Sequence, residues 1–168
     1  MHWYRTHRAD ARARRLADRH YSRKTPHAAQ FAPPGRTLTL ITARADAVWV
    51  SSWPLPQYVK RLFPYAWLCT LFRNESALLS STLIGEAVAA TRFVWGEPPP
   101  ADGMITFVDA RKVRSPNPGY CFKQAGFRPA GRTKSGLIVL RLAREDMPGA
   151  ARAAPISEVF QLSLFDRD

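Results

Sequence analysis

The chain has 168 residues, enough for one ordinary domain and a tail but not for two large domains. Hydrophobic residues make up 46% of it and aromatics 11%, which closes a core and excludes wholesale disorder. The formal net charge of +12 comes mostly from arginine, whose planar fork suits phosphate, so either a polyanionic partner or a solvated basic surface is expected.

Residues 2–6 read as a short edge strand, and residues 8–20 as a helix with Ala11, Leu16 and Ala17 facing inward. The helix runs into Arg19-His20-Tyr21-Ser22-Arg23-Lys24, which sets two rings and a hydroxyl among four cations. Residues 37–42 and 47–53 are rich in β-branched and aromatic side chains and form a hairpin across Arg44-Ala45-Asp46. After the prolines at 54, 56 and 64, residues 66–72 are almost continuously apolar, as in a central strand buried on both faces.

From Ser80 the period becomes helical, with Leu83, Ile84, Ala87, Val88, Thr91 and Val94 on one face, Ser80 or Ser81 as N-cap and Gly96 as the stop. Residues 104–108 form a buried strand ending at Asp109, residues 118–125 a short helix closed by Gly126, and residues 127–142 a hairpin turning near Ser135-Gly136. The expected fold is therefore α/β, a mixed central sheet flanked by helices in a single domain over residues 1–144. Residues 145–156 have a linker composition of Ala, Pro, Gly and Arg, and residues 157–168 form a flexible tail with its own apolar patch. Trp49, Trp53, Trp67 and Trp95 fall within strands and a helix and are read as core.

Cys69 and Cys121 lie at no metal-ligand spacing, so no metal ligands are assigned and both are read as core thiols. No segment resembles a secretory signal or an apolar run of about 20 residues. A cytoplasmic protein with reduced thiols and no membrane partner is expected.

The element order, with Gly119-Tyr120-Cys121-Phe122-Lys123-Gln124-Ala125-Gly126-Phe127 before a last hairpin, resembles the GNAT acyltransferase superfamily over roughly residues 1–142. Within it, the chain is similar to the Mom family of phage DNA-modification proteins. That likeness rests on His20-Tyr21-Ser22, Phe72-Arg73-Asn74-Glu75, Ser80-Ser81, Val108-Asp109 and Asn117-Pro118-Gly119-Tyr120. It implies a mixed sheet whose two central strands splay apart around an acyl-coenzyme A donor such as acetyl-CoA, and transfer to the exocyclic amine of adenine in DNA as a protection against restriction. Two departures stand out. The glycine-rich pyrophosphate loop of many GNAT enzymes is replaced by residues 73–81, and Phe122 stands where many of them carry an acidic tyrosine.

Acyl transfer to an aromatic amine needs one proton removed from nitrogen and one returned to the departing thiolate, which makes His20, Tyr21 and Asp109 the catalytic candidates. The other reading has Asp109 capping a turn and the His-Tyr pair satisfying its own hydrogen bonds. Arg73, Asn74, Ser80 and Ser81 are the cofactor-binding candidates, since a helix start offers amide donors and the positive end of a dipole to phosphate. Alternatively Arg73 pairs with Glu75 and Ser80 merely caps the helix. Arg114, Asn117, Tyr120 and Lys123 interleave aromatic, amide and basic groups and suit an extruded base held by its phosphates, unless Tyr120 belongs to the core.

The pentapeptide Gln161-Leu162-Ser163-Leu164-Phe165 resembles the motif by which bacterial replication and repair proteins bind the DNA polymerase sliding clamp. This implies clamp contacts by Gln161, Leu162, Leu164 and Phe165, and a nucleoid-associated location. The expectation is a DNA-modifying acyltransferase recruited by the clamp. Its rivals are a noncatalytic DNA- or clamp-binding module on the same scaffold and an acetyltransferase for a small amine or protein.

Overall fold

A computed structural model describes residues 1–58 and 62–155. The clamp-motif residues Gln161, Leu162, Leu164 and Phe165 lie outside the described residues. Strands β1 (Trp3–Thr6), β2 (Arg36–Thr42), β3 (Ala47–Trp53), β4 (Trp67–Asn74), β5 (Met104–Val108), β6 (Arg128–Arg132), β7 (Ile138–Leu142) and β8 (Ala154–Pro155) form one sheet in the order β6-β7-β5-β4-β3-β2-β1-β8. Pairing is antiparallel except between β4 and β5 and between β1 and β8, so the expected mixed α/β sheet is what the chain forms.

The helices α1 (Ala11–Asp18), α2 (Ser80–Trp95) and α3 (Tyr120–Gln124) divide between the two faces. Against one face, Leu83, Ile84, Ala87 and Val88 of α2 and Phe122 of α3 pack on Trp49, Trp67, Met104 and Leu140. On the other, Ala13, Leu16 and Ala17 of α1 cover Ile41, Val48, Val50 and Leu71. A separate apolar group, Ala66, Ile105 and Val139 with Leu68 and Phe107 against it, lies beside β4 and β5.

Several expectations are corrected. Helix α1 starts at Ala11 rather than at residue 8, because Asp10 caps it by accepting the Arg12 amide at 2.8 Å and the Thr6 hydroxyl at 2.6 Å. Consequently Ala11 is exposed and Ala13 takes the inward position. Burial raises the Asp10 carboxyl, but Arg12 and Thr6 outweigh it and hold the group at about 2. Neither Ser80 nor Ser81 is the N-cap of α2: Leu79 occupies that position and gives no side-chain cap, while both serines lie inside the first turn.

The stretch with linker composition also follows a defined course as far as Pro155. Arg92 donates to the carbonyls of Met147 at 3.0 Å and Pro148 at 2.8 Å, the Ala151 amide bonds Ala89 O at 3.1 Å, and β8 pairs with Tyr4 and Arg5 of β1. Its small side chains, which read as linker, are what let the backbone lie close to the alanine-rich face of α2.

Candidate functional site at the splay of two central strands

β4 and β5 run parallel, but they pair only through Trp67 with Met104, Leu68 with Ile105 and Cys69 with Thr106. Beyond that point β4 continues to Asn74 and β5 to Val108 without pairing each other. The irregularity has a local cause. Successive β3 residues Val50 and Ser51 face Leu71 and Cys69, leaving Thr70 as an extra residue in β4, and such a bulge bends its strand. The Thr70 hydroxyl bonds Val50 O at 3.2 Å and anchors the bend to β3.

On the α1 face this splay opens a cleft of about 820 Å³, with a floor of Leu68, Thr70 and Leu71 and a wall of Phe107. The opposite wall is the loop that follows α1, which supplies Tyr21, Lys24 and Phe31. Arg23 ties that loop down. Its guanidinium bonds Asp18 Oδ1 at 2.9 Å, Ala28 O at 3.1 Å and Gln30 O at 3.4 Å, and Asp18 Oδ2 also accepts the His27 amide at 3.1 Å.

The three catalytic candidates converge, though not as equals. Tyr21 and Asp109 line the cleft, and the Asp109 amide donates to Tyr21 Oη at 3.4 Å. Burial raises the Tyr21 hydroxyl above its ordinary value, so it keeps its proton, which has no acceptor among the described residues. His20 instead stacks behind the Tyr21 ring with centroids 4.4 Å apart. Its Nδ1 accepts the Ser22 amide at 3.2 Å and lies 2.7 Å from Ser22 Oγ, which places the proton of the neutral ring on Nε2. Burial, reinforced by the Arg73 charge, pushes His20 down to about 4.

Arg111 holds Asp109 from both sides, Nε to Oδ1 at 2.9 Å and Nη2 to Oδ2 at 3.0 Å. That bond keeps the carboxylate below its ordinary range. Arg111 was not among the sequence candidates. The signal that points to it is the complete absence of Asp and Glu between Ala110 and Arg144, a segment rich in Arg and Lys in which Arg111 can find an acid only behind it.

At the end of β4, Arg73 is engaged with Glu75 Oε1 at 2.6 Å and Arg19 O at 2.7 Å, which is the ion-paired reading of this residue. Glu75, clamped first by Arg19 and then by Arg73, is held at about 2. Asn74 shapes the loop: Nδ2 reaches Leu78 O at 2.8 Å and Ser80 Oγ at 3.0 Å, and Oδ1 accepts from Ser76. The first bond of α2 is Leu83 N to Leu79 O, so the amides of Ser80, Ser81 and Thr82 have no acceptor among the described residues. Those amides and the two serine hydroxyls fit a phosphate, whereas Arg73 would first have to leave Glu75.

The remaining candidates lie outside the cleft lining. Tyr120 is 54% exposed and not core, Arg114 is exposed, and Asn117 Oδ1 accepts Lys123 Nζ at 2.5 Å. None of the four lines the cleft; Lys112 does. Gly119 sets α3 against the sheet, since its φ of +75° favours glycine and a Cβ there would lie 2.5 Å from Leu140 Cδ1. Phe122 sits in an edge-to-face cluster with Phe72 and Phe127 and has no proton to give.

A second, apolar cavity of about 1030 Å³ opens between Trp53, Leu55, Tyr65 and Pro100 and shares Pro33 with the first. Trp49 and Trp67 are fully buried as expected, while Trp53 and Trp95 are half-buried against Trp67. Cys69 and Cys121 are free, and burial pushes both thiols up, Cys69 far more, so neither is a nucleophile near neutral pH. Among the described residues, no helix is long and apolar enough to cross a membrane. Comparison with protein-family models, with curated proteins and with solved structures gives no match.

Proposed function

We propose that this chain is an acyltransferase acting on an exocyclic base amine of DNA, adenine N6 in particular, with an acyl thioester such as acetyl-CoA as donor. The observation that carries the reading is the splay of β4 and β5, which opens a cleft on a cationic surface with a protonated tyrosine and an ionised aspartate at its wall. An aromatic amine is a poor nucleophile, so a hydrogen-bond acceptor on its N–H and an acid for the leaving sulfur are the groups that lower the barrier. Asp109 supplies the acceptor, and Tyr21 protonates sulfur as the carbon–sulfur bond breaks and the carbon–nitrogen bond forms. The amine proton leaves through Asp109 to water, and water returns a proton to the Tyr21 phenolate, which closes the cycle. His20 acts by fixing the Tyr21 ring.

The amides at the start of α2, which have no acceptor among the described residues, and the Ser80 and Ser81 hydroxyls beside them support binding of the donor's phosphate groups. Arg114, Asn117, Tyr120 and Lys123, which lie outside the cleft lining, would contact the DNA strand, and the terminal pentapeptide would bring the enzyme to DNA through the sliding clamp. One observation favours a noncatalytic DNA-binding role instead: Arg73 and Asp109 are both committed to internal partners.

The purified full-length chain, an oligonucleotide duplex and acetyl-CoA decide between them by mass spectrometry of the DNA. Acylated adenine with wild type, reduced about tenfold or more by Tyr21→Phe, is expected, since a single positioned acid contributes about 10² to 10⁴ in rate. DNA whose mass is unchanged by wild type favours the noncatalytic role.

A further inference from the structure

Asp109 faces the cleft, yet Arg111 engages both of its carboxylate oxygens. Beside the two guanidinium bonds, the Arg111 amide closes on Oδ1 at 3.1 Å. The guanidinium uses the two-pronged fork with which arginine takes phosphate. The two partners differ in freedom: the Arg111 side chain is 74% exposed and that of Asp109 only 9%. The carboxylate is rooted, and the arginine is the member able to turn away.

The surroundings favour an anion. Lys112 lines the cleft, Lys24 stands on the opposite wall, and Arg23 beside it is committed to Asp18. From Ala110 to Arg144 no carboxylate follows that could hold Arg111 in place of Asp109. Exposed ion pairs are weak, shifting an equilibrium by about fivefold or less, so a phosphate with a second cation beside it competes well for the fork.

We infer that Arg111 is a phosphate-binding residue whose site is occupied in cis by the carboxylate of Asp109. A phosphate entering the cleft takes the guanidinium over, and the released carboxylate accepts the hydrogen bond of the ligand's amine. One exchange thus binds the anion and exposes the acceptor. The inference rests on the reading that a phosphate-bearing ligand uses this cleft; the phosphate belongs either to a nucleic-acid backbone or to a nucleotide such as coenzyme A.

The test is a double-mutant cycle on the full-length chain, with fluorescence anisotropy of a labelled oligonucleotide duplex and, separately, competition by coenzyme A. Asp109→Asn keeps Oδ1 for the Arg111 amide, so the turn is retained while the charge that holds the guanidinium is removed. It should tighten binding about threefold to fivefold, and Arg111→Gln should weaken it by a similar factor. In the Arg111→Gln background, Asp109→Asn should give no gain. A gain that survives Arg111→Gln would show that only the charge of the cleft matters and would overturn the inference, as would equal binding by wild type and Asp109→Asn. Coupling seen with the duplex assigns the site to backbone phosphate, and coupling seen with coenzyme A assigns it to a nucleotide. Its absence with both overturns the inference. Acyl transfer without this coupling removes the inference alone, and coupling without acyl transfer removes the enzyme reading alone.

Discussion

At the scale of single residues, His20 and Tyr21 are neighbours in sequence with opposite proton states to defend. Burial disfavours the charged form of each, so the imidazole is pushed down to about 4 and the phenol is pushed up. For His20 the folded value lies below the unfolded one, which makes its contribution to stability complete above about 6.5 and progressively lost as pH falls from there toward 4. A pH titration of unfolding should therefore show His20→Gln losing less stability than wild type between pH 6.5 and 4, and parallel losses would contradict the burial. The same shift predicts that the acid limb of any activity profile is free of an imidazole step near 6.5. That His20 and Tyr21 stand together was legible from their adjacency, but that Tyr21 lines the cleft while His20 stacks on its ring was not. Nothing in the letters His-Tyr-Ser tells that Ser22 would occupy Nδ1, or that the ring would stack on Tyr21 without itself lining the cleft. Arg111 reads in the sequence only as one member of the basic run with Lys112 and Arg114, and its pairing with Asp109 went unread because an arginine two residues after an acid looks like an ordinary surface cation.

Among the elements, β3 and β5 were legible end to end, since β-branched and aromatic runs between turn residues leave little choice of boundary. The bulge at Thr70 was not, because it arises from a mismatch between two strands and neither sequence shows it alone. Nor was the fold of the loop between α1 and β2, whose shape depends on one half-hidden arginine. Arg23 is only 11% exposed and replaces a missing secondary structure by bonding backbone carbonyls across the loop. Arg23→Ala leaves those carbonyls and Asp18 Oδ1 without their donor, and the cost should be about 1 to 3 kcal/mol. Urea unfolding measures it. The variant should also lose acyl transfer more steeply than stability, because the same loop carries Tyr21 to the cleft; retention of full transfer would show that Tyr21 is held by its stack on His20 and not by the staple.

For the molecule as a whole, the proposed partners are DNA and the sliding clamp. The net charge of +12 predicts salt-dependent DNA binding, with the binding constant falling by roughly the 0.9 power of salt for each phosphate contact. The pentapeptide beyond residue 156 predicts clamp binding, for which Leu164→Ala with Phe165→Ala should cost about tenfold to a thousandfold in affinity for the purified clamp while leaving the domain folded. Equal binding by both proteins in a calorimetric titration would make the motif accidental. Charge and motif were legible from composition and from a short string, whereas the cleft between β4 and β5 appeared only with the register of the sheet.

The central claim, chemistry on a base amine in that cleft, is tested most directly by mass spectrometry of nucleosides from the DNA of cells producing the protein, since no donor has to be chosen in advance. A new acylated adenosine derivative should appear with wild type, fall sharply with Tyr21→Phe and vanish with Tyr21→Phe combined with Asp109→Asn. Unmodified nucleosides from cells containing folded wild-type protein would contradict the account.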